Sequence, residues 1–267
     1  AWTYATDMNV YLMGMPFDVD AVDIDEDENF SNPQTYDYMV SADATVENWP
    51  IQDDYVQFLD VSFDGSMVVT DGYNADSGTS NVKLFDASTG QLLHTFDLIF
   101  EHIVAVQFTA DGSKCMAVNV GGQVKLWDVH TYELISDWEA NMMVCHAALS
   151  PDGSKILLAD ANYDQATQVQ MCDMQTGETL YAISHSNRVS RVAFSPDGSK
   201  FITGGGADKL IKIWDMVTGQ LTRTLSGHTD IIISLNYSAD GTSIVSGGND
   251  NMAIVWNVQN GQAIQTF

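Results

Sequence analysis

Basic residues are scarce in this chain. Lys and Arg together number 10 among 267 residues, the first of them is Lys83, and Asp and Glu number 36, which sets the formal net charge at −26. A surface so poor in cations repels phosphate, so no direct nucleic-acid partner is expected. Apolar runs are short: none approaches the roughly 20 residues a helix needs to cross a bilayer, and no membrane span is expected. Cysteine occurs three times. Cys115, Cys145 and Cys172 sit in apolar, strand-like runs with no CxxC pair and no zinc-type His spacing, so they read as small core residues. Their odd number excludes a scaffold of intrachain disulfides alone and leaves one bridge open. Hydrophobic residues are not scarce, at 45%, and that share excludes a disordered chain and points to a folded, soluble protein. The chain opens Ala-Trp-Thr-Tyr, without an initiator Met or a signal-peptide pattern, and its compartment is left open.

The acidity is mostly aspartate, 29 Asp to 7 Glu. Asp serves turns, where its short side chain bonds the nearby backbone, but the first 60 residues hold more acid than turns require. Such a surface invites basic proteins and cations, and it also suits adaptation to high salt.

Turn residues mark an internal repeat. Asp-Gly recurs at Asp64, Asp111, Asp152, Asp197 and Asp240, at separations of 47, 41, 45 and 43 residues. A second phrase keeps the same step: KLFDASTGQLLHTF, KLWDVHTYELISDW, QMCDMQTGETLYAI, KIWDMVTGQLTRTL and IVWNVQNGQAIQTF, anchored at Asp86, Asp128, Asp173, Asp215 and Asn257. Each unit holds four short apolar or alternating segments split by turn residues, which predicts four antiparallel strands. Asp-Gly predicts a tight hairpin, since Gly accepts positive φ. Gly204-Gly205-Gly206 and Gly247-Gly248 read as hairpin turns, not as a phosphate loop between strand and helix.

A lone four-stranded sheet has too little core, so neighbouring units must stack. The period of 41–47 residues, Gly227-His228 before a first strand, and Trp127-Asp128 and Trp214-Asp215 closing third strands resemble the WD-repeat β-propellers. The resemblance implies an all-β propeller filling 1–267 as one domain. Tyr36–Val40 before Asp43, and Val10–Phe17 before Asp18, keep the period backwards from Asp86 and Asp64. The expected architecture is therefore six blades of four antiparallel strands: a degenerate acidic blade at 8–51, five clear blades over 52–267, and an N-terminal arm or edge strand at 1–7.

The family also implies a structural hydrogen-bond chain of His, Ser or Thr, Asp and Trp within a blade. Two units match it: His185, Thr203, Asp208 and Trp214, then His228, Ser246, Asp250 and Trp256. A His–Ser–Asp set also fits a hydrolase triad, but here the Ser or Thr lies within a strand and the set recurs with the repeat, which favours structure. Arg188 and Arg191, with Asp230, fall near the face where this family binds peptides, and two arginines in so acidic a chain suit a carboxylate or phosphate. Pairing with neighbouring aspartates is the plainer reading of the same residues. Asp23, Asp25 and Asp27 alternate in an acidic run where a hard cation such as Ca²⁺ would relieve their repulsion. That run opens like a helix–loop–helix calcium loop, but Glu28 and Gln34 stand where Gly and the bidentate Glu belong, so the match fails and a solvated loop is the alternative.

The expected function is a noncatalytic scaffold that presents the loops of a rigid acidic propeller to a protein or peptide partner, a basic one by charge, with no cofactor. The alternative is a structural assembly subunit, extracellular and polymer-forming, bridged by cations or by strand exchange through the N-terminal segment into a homo-oligomer or filament.

Overall fold

A computed structural model describes residues 56–74, 79–100, 102–161, 168–185, 188–206 and 208–267. The arm at 1–7, the blade expected at 8–51 and the aspartates Asp23, Asp25 and Asp27 lie outside the described residues.

The described residues form five antiparallel sheets of four strands each, with no helix among them. The first sheet is β1 Leu59–Val61, β2 Met67–Asn74, β3 Thr79–Asp86 and β4 Leu92–Phe100; the second is β5 Ile103–Phe108, β6 Lys114–Asn119, β7 Gln123–Asp128 and β8 Leu134–Glu139. The third is β9 Val144–Leu149, β10 Lys155–Asp160, β11 Gln168–Asp173 and β12 Thr179–Ser184. The fourth is β13 Val189–Phe194, β14 Lys200–Gly205, β15 Leu210–Asp215 and β16 Leu221–Ser226, and the fifth is β17 Ile232–Tyr237, β18 Ser243–Gly248, β19 Ala253–Asn257 and β20 Ala263–Thr266. Within each sheet the strands pair in sequence order.

The Asp-Gly hairpins are looser than the tight turn predicted. In the first, Ser62 N–H donates to Met67 O at 2.9 Å and Gly65 N–H to Ser62 O at 2.8 Å, closing a loop of four residues. Asp64 Oδ1 fills it, accepting the Ser62 hydroxyl at 2.8 Å and the Ser66 N–H at 3.0 Å. Gly65 holds φ at 70°, in the left-handed region that glycine adopts without strain. The Asp thus earns its place by bonding the loop, and the Gly by turning it.

Successive sheets stack through their innermost strands, β1 on β5, β5 on β9, β9 on β13 and β13 on β17. Side-chain alternation gives each sheet two working faces. In the second, Cys115 and Trp127 point back into a cluster with Val69 and Leu84 of the first sheet, while Met116 and Leu126 point forward to Ile156 and Cys172 of the third. The same division joins the third sheet to the fourth and the fourth to the fifth. Apolar area on both faces of a thin sheet is what makes each unit depend on its neighbours. Phe85 and Cys172 take the Trp position in the first and third sheets and are buried. All three cysteines are free.

Candidate functional site

The polar chain is complete in the fifth sheet. Trp256 Nε1–H donates to Ser246 Oγ at 2.8 Å, and the same oxygen lies 2.8 Å from His228 Nε2. His228 Nδ1 lies 2.9 Å from Asp250 Oδ2. Having accepted the indole, the Ser246 hydroxyl donates to Nε2, which leaves the Nδ1–H for Asp250; the tautomer is assigned from these partners. Asp250 also accepts the Thr229 N–H at 2.7 Å and the Met252 N–H at 3.1 Å. Burial pushes its carboxyl up, but the Thr229, His228 and Met252 donors prevail and hold it at about 2. The chain therefore runs from the entry to β17, through the middle of β18, to β19. A nucleophile needs an open side; the Ser246 oxygen is buried and already shared between an indole and an imidazole.

Gly248 makes this possible. A Cβ there would stand 2.7 Å from both Asp250 Oδ1 and His228 Nδ1. Gly205 plays the same part beside Asp208. These glycines end β14 and β18 and are not the hairpin turns expected of them. They clear space for the turn Asp to fold back.

In the fourth sheet the four residues do not join into one chain, and here the sequence reading is corrected. Trp214 Nε1–H donates to Thr203 Oγ1 at 2.9 Å. His185 reaches neither Thr203 nor Asp208: its Nε2 is buried without a hydrogen-bond partner, and its Nδ1 lies 3.5 Å from Lys212 Nζ. The cause is Lys212, which takes Asp208 as a salt bridge at 2.9 Å. Lys212 stands opposite Thr203 in the ladder, where the fifth sheet has Ile254 opposite Ser246. An ammonium outbids an imidazole for the carboxylate. Burial first, then the adjacent Lys212, lowers His185 to about 4, so the ring is neutral.

Arg188 and Arg191 open β13 and flank the third sheet's first strand. Burial raises the Cys145 thiol while the two guanidiniums pull it down, and burial with Arg191 pushes His146 to about 3. The Ser190 hydroxyl donates to Ile232 O and Gly204 O, tying β13 to β17. Asp230, two residues before β17, accepts the Ile231 N–H at 2.7 Å. Arg191 and Asp230 thus sit at one end of adjacent strands. No group of three or more His, Cys, Asp or Glu placed to hold a metal occurs among the described residues.

At the opposite end of the sheets lie all the Asp-Gly loops and the β3–β4-type turns. Nine of their carboxyls, Asp64, Asp86, Asp111, Asp128, Asp152, Asp173, Asp197, Asp215 and Asp240, are held below the usual carboxylate range. Local hydroxyl and amide donors cause this, against burial at Asp152.

Two sets of cross-sheet bonds were not read from the sequence. On the inner strands, Asp60 Oδ2 accepts the Phe108 N–H of the next sheet at 2.8 Å, and Gln107 Oε1 accepts the Leu149 N–H at 2.9 Å. On the outer strands, matched positions reach the next sheet's turn. His94 stacks on Tyr132 at 4.2 Å between ring centroids, Ser136 Oγ donates to Gln175 O at 3.0 Å, the Tyr181 hydroxyl donates to Met216 O, and Arg223 donates to Gln259 O at 2.9 Å and Asn260 O at 3.0 Å. A polar residue four before the loop Asp, as in Asp60, Gln107 and Asn236, was the available signal.

Residues 177–215 and 219–257 match the sequence model of the WD domain, G-beta repeat. Protein tipD of Dictyostelium discoideum is 40% identical over 62 residues, 23% of this chain and 10% of that protein. Transducin beta-like protein 3 of Bos taurus is 24% identical over 188 residues, 70% of this chain and 24% of that protein. Autophagy-related protein 16 of Arabidopsis thaliana is 24% identical over 205 residues, 76% of this chain and 39% of that protein. The chain therefore spans between a tenth and two fifths of the length of these relatives. Among the described residues no helix is long and apolar enough to cross a membrane.

Proposed function

Because residues 177–215 and 219–257 carry WD40 repeats, we propose that the chain is a noncatalytic scaffold that holds a basic protein or peptide against its acidic surface. WD40 repeats generally serve protein interaction. The placement of charge carries the reading. Nine turn carboxyls at one end of the sheets stay ionised at any physiological pH, within a chain of net charge −26. Such a field steers and retains cationic partners. Arg188 and Arg191, at the other end, offer the same partner a seat for a carboxylate. The buried His–Ser–Asp–Trp chain supplies rigidity and no chemistry.

The test uses a Lys/Arg-rich peptide as the probe. Its Kd is expected to weaken about 10-fold or more between roughly 50 and 500 mM salt, as screening shortens the reach of surface charge. Exchanging Arg188 and Arg191 together for Ala is expected to weaken binding of a partner that also presents a carboxylate. Saturable binding of equal strength at both ionic strengths would contradict charge-led recognition.

A further inference from the structure

Between the fourth and fifth sheets, at the Asp-Gly end, lies an open cleft of about 620 Å³. Lys200 of β14 with Thr222 and Arg223 of β16 forms one wall, and Thr242 with the turn Asn257–Gln259 forms the other. A recess of about 330 Å³ shares Lys200 and Val258 with it and reaches inward to Tyr237. Four positions here depart from their equivalents in the other sheets. Asn257 is neutral where Asp86, Asp128, Asp173 and Asp215 are carboxylates, and Arg223 is a cation where His94, Ser136 and Tyr181 stand. Thr222 replaces Leu93, Ile135 and Leu180, and Tyr237 brings a hydroxyl where Val61, Phe108, Leu149 and Phe194 are apolar. Two of the changes lessen negative charge and two add a hydroxyl. The larger cleft is thus walled by two cations and no carboxylate, in a chain of net charge −26.

Two donors facing this space are left without an acceptor. Tyr237 is 7% exposed, and its hydroxyl has no hydrogen-bond partner among the described residues. Packing alone calls for no hydroxyl there, and a buried one without a partner costs stability. Lys200 Nζ makes no hydrogen bond or ion pair among the described residues, whereas its counterparts Lys155 and Lys114 reach the Ser154 and Ser113 hydroxyls at 3.2 and 3.4 Å. Asp197 and Asp215 feel the Lys200 charge. Each, however, is bonded within its own loop, Asp197 to Ser195 and Ser199, Asp215 to Val217 and Thr218. Arg223 gives one N–H each to Asn260 O and Gln259 O, which leaves further guanidinium donors for a ligand.

We propose that this cleft binds a carboxylate-bearing peptide segment, with Lys200 and Arg223 holding the carboxylate and the Tyr237 hydroxyl donating to a neighbouring peptide carbonyl. Ammonium and guanidinium groups are the strong partners of a carboxylate. A single negative charge fits better than a phosphate dianion, because Asp197 and Asp240 line the recess. Burial and then Asp197 raise the Tyr237 hydroxyl, so it stays protonated and can donate. The volume suits a short segment, and Ile213 and Val258 offer apolar floor between the polar groups. A free small acid reaches one compartment only, whereas Arg223 and Tyr237 lie in different ones joined at Lys200. The site takes a ligand of the opposite charge to the cationic partner proposed above and does not rest on that reading.

Isothermal titration of the full chain uses the acetylated, amidated pentapeptide Ala-Val-Asp-Val-Ala, the same peptide with Asn for Asp, and free succinate. The Asp peptide is expected to bind saturably and at least about 10-fold more tightly than the Asn peptide, as loss of a charge-assisted pair dictates. K200M is expected to lose the same factor. Y237F is expected to weaken binding about 3-fold while its urea midpoint stays at or above its parent's, since the deleted hydroxyl had no partner. Neither change is expected to weaken binding of a Lys/Arg-rich peptide, which separates this site from the acidic surface. Equal affinity for the Asp and Asn peptides, or K200M binding as tightly as its parent, would overturn the proposal. So would a Y237F chain of lower midpoint and unchanged affinity. Succinate binding as tightly as the peptide would overturn a peptide as the occupant.

Discussion

Replacing His228 with Ala is expected to destabilise the protein by about 3–5 kcal/mol in urea unfolding, the range for breaking a buried, charge-assisted network. The change strips Ser246 Oγ and Asp250 of their shared partner and leaves both without the donor or acceptor they face. The informative control is His185→Ala in the fourth sheet. Both histidines are buried and removal of either leaves a similar void, but His185 Nε2 has no partner and its neighbour is Lys212. The loss at His185 is therefore expected to be smaller by about 2 kcal/mol, the worth of the missing bonds. Equal losses at the two sites would show that only packing volume matters.

Asp60→Asn is expected to act in the other direction and stabilise the chain at neutral pH. Burial raises the Asp60 carboxyl to about 6, against the Phe108 and Val61 N–H donors that favour its charge. A group whose folded pKa lies above its unfolded value binds more protons in the folded state between the two. Its ionisation is thus a cost of folding that grows from about pH 4 to about pH 6 and is constant above. A shift of that size corresponds to at most about 3 kcal/mol, and partial exposure of the residue brings the expected gain to about 1–2 kcal/mol. Asn keeps an acceptor for the Phe108 N–H, the part that neutral Gln107 plays toward Leu149 one sheet further on. The stability difference between D60N and its parent should rise through pH 4–6 and then level off. A difference flat across that range would mean that Asp60 is not desolvated.

Much of the fold could be read in advance because its determinants are local. Gly65 and its counterparts need positive φ, Asp64 and its counterparts bond their own loops, and the period of those turns sets strand count and sheet size. Side-chain competition is a different matter. Lys212 and Ile254 occupy equivalent places in strands of nearly the same pattern, yet the ammonium claims Asp208 and breaks the chain that Ile254 leaves intact. Only distances could decide that. The cross-sheet acceptors were partly legible: Asp60 and Gln107 are polar residues in otherwise apolar strands at a fixed distance from the loop Asp, which is a signal once the stacking order is known. Gly205 and Gly248 looked like turn glycines because sequence shows their neighbours along the chain, not the returning carboxylate that would strike a Cβ. The placement of the turn carboxyls was least legible, since charge composition gives a sign but not the end of the sheets on which those carboxyls lie.

The account rests on sheets that bond face to face in chain order, and amide exchange at two positions tests this most directly. β5 and β9 are innermost strands with a strand neighbour on one side only. The Phe108 and Leu149 amides bond instead to Asp60 and Gln107 of the preceding sheet. Both are predicted to exchange at least about 1,000-fold more slowly than open chain, as buried bonds do when exposure requires unfolding, with Phe108 alone losing protection in D60A. Exchange of both amides at the open-chain rate in the folded protein would contradict the stacking order itself.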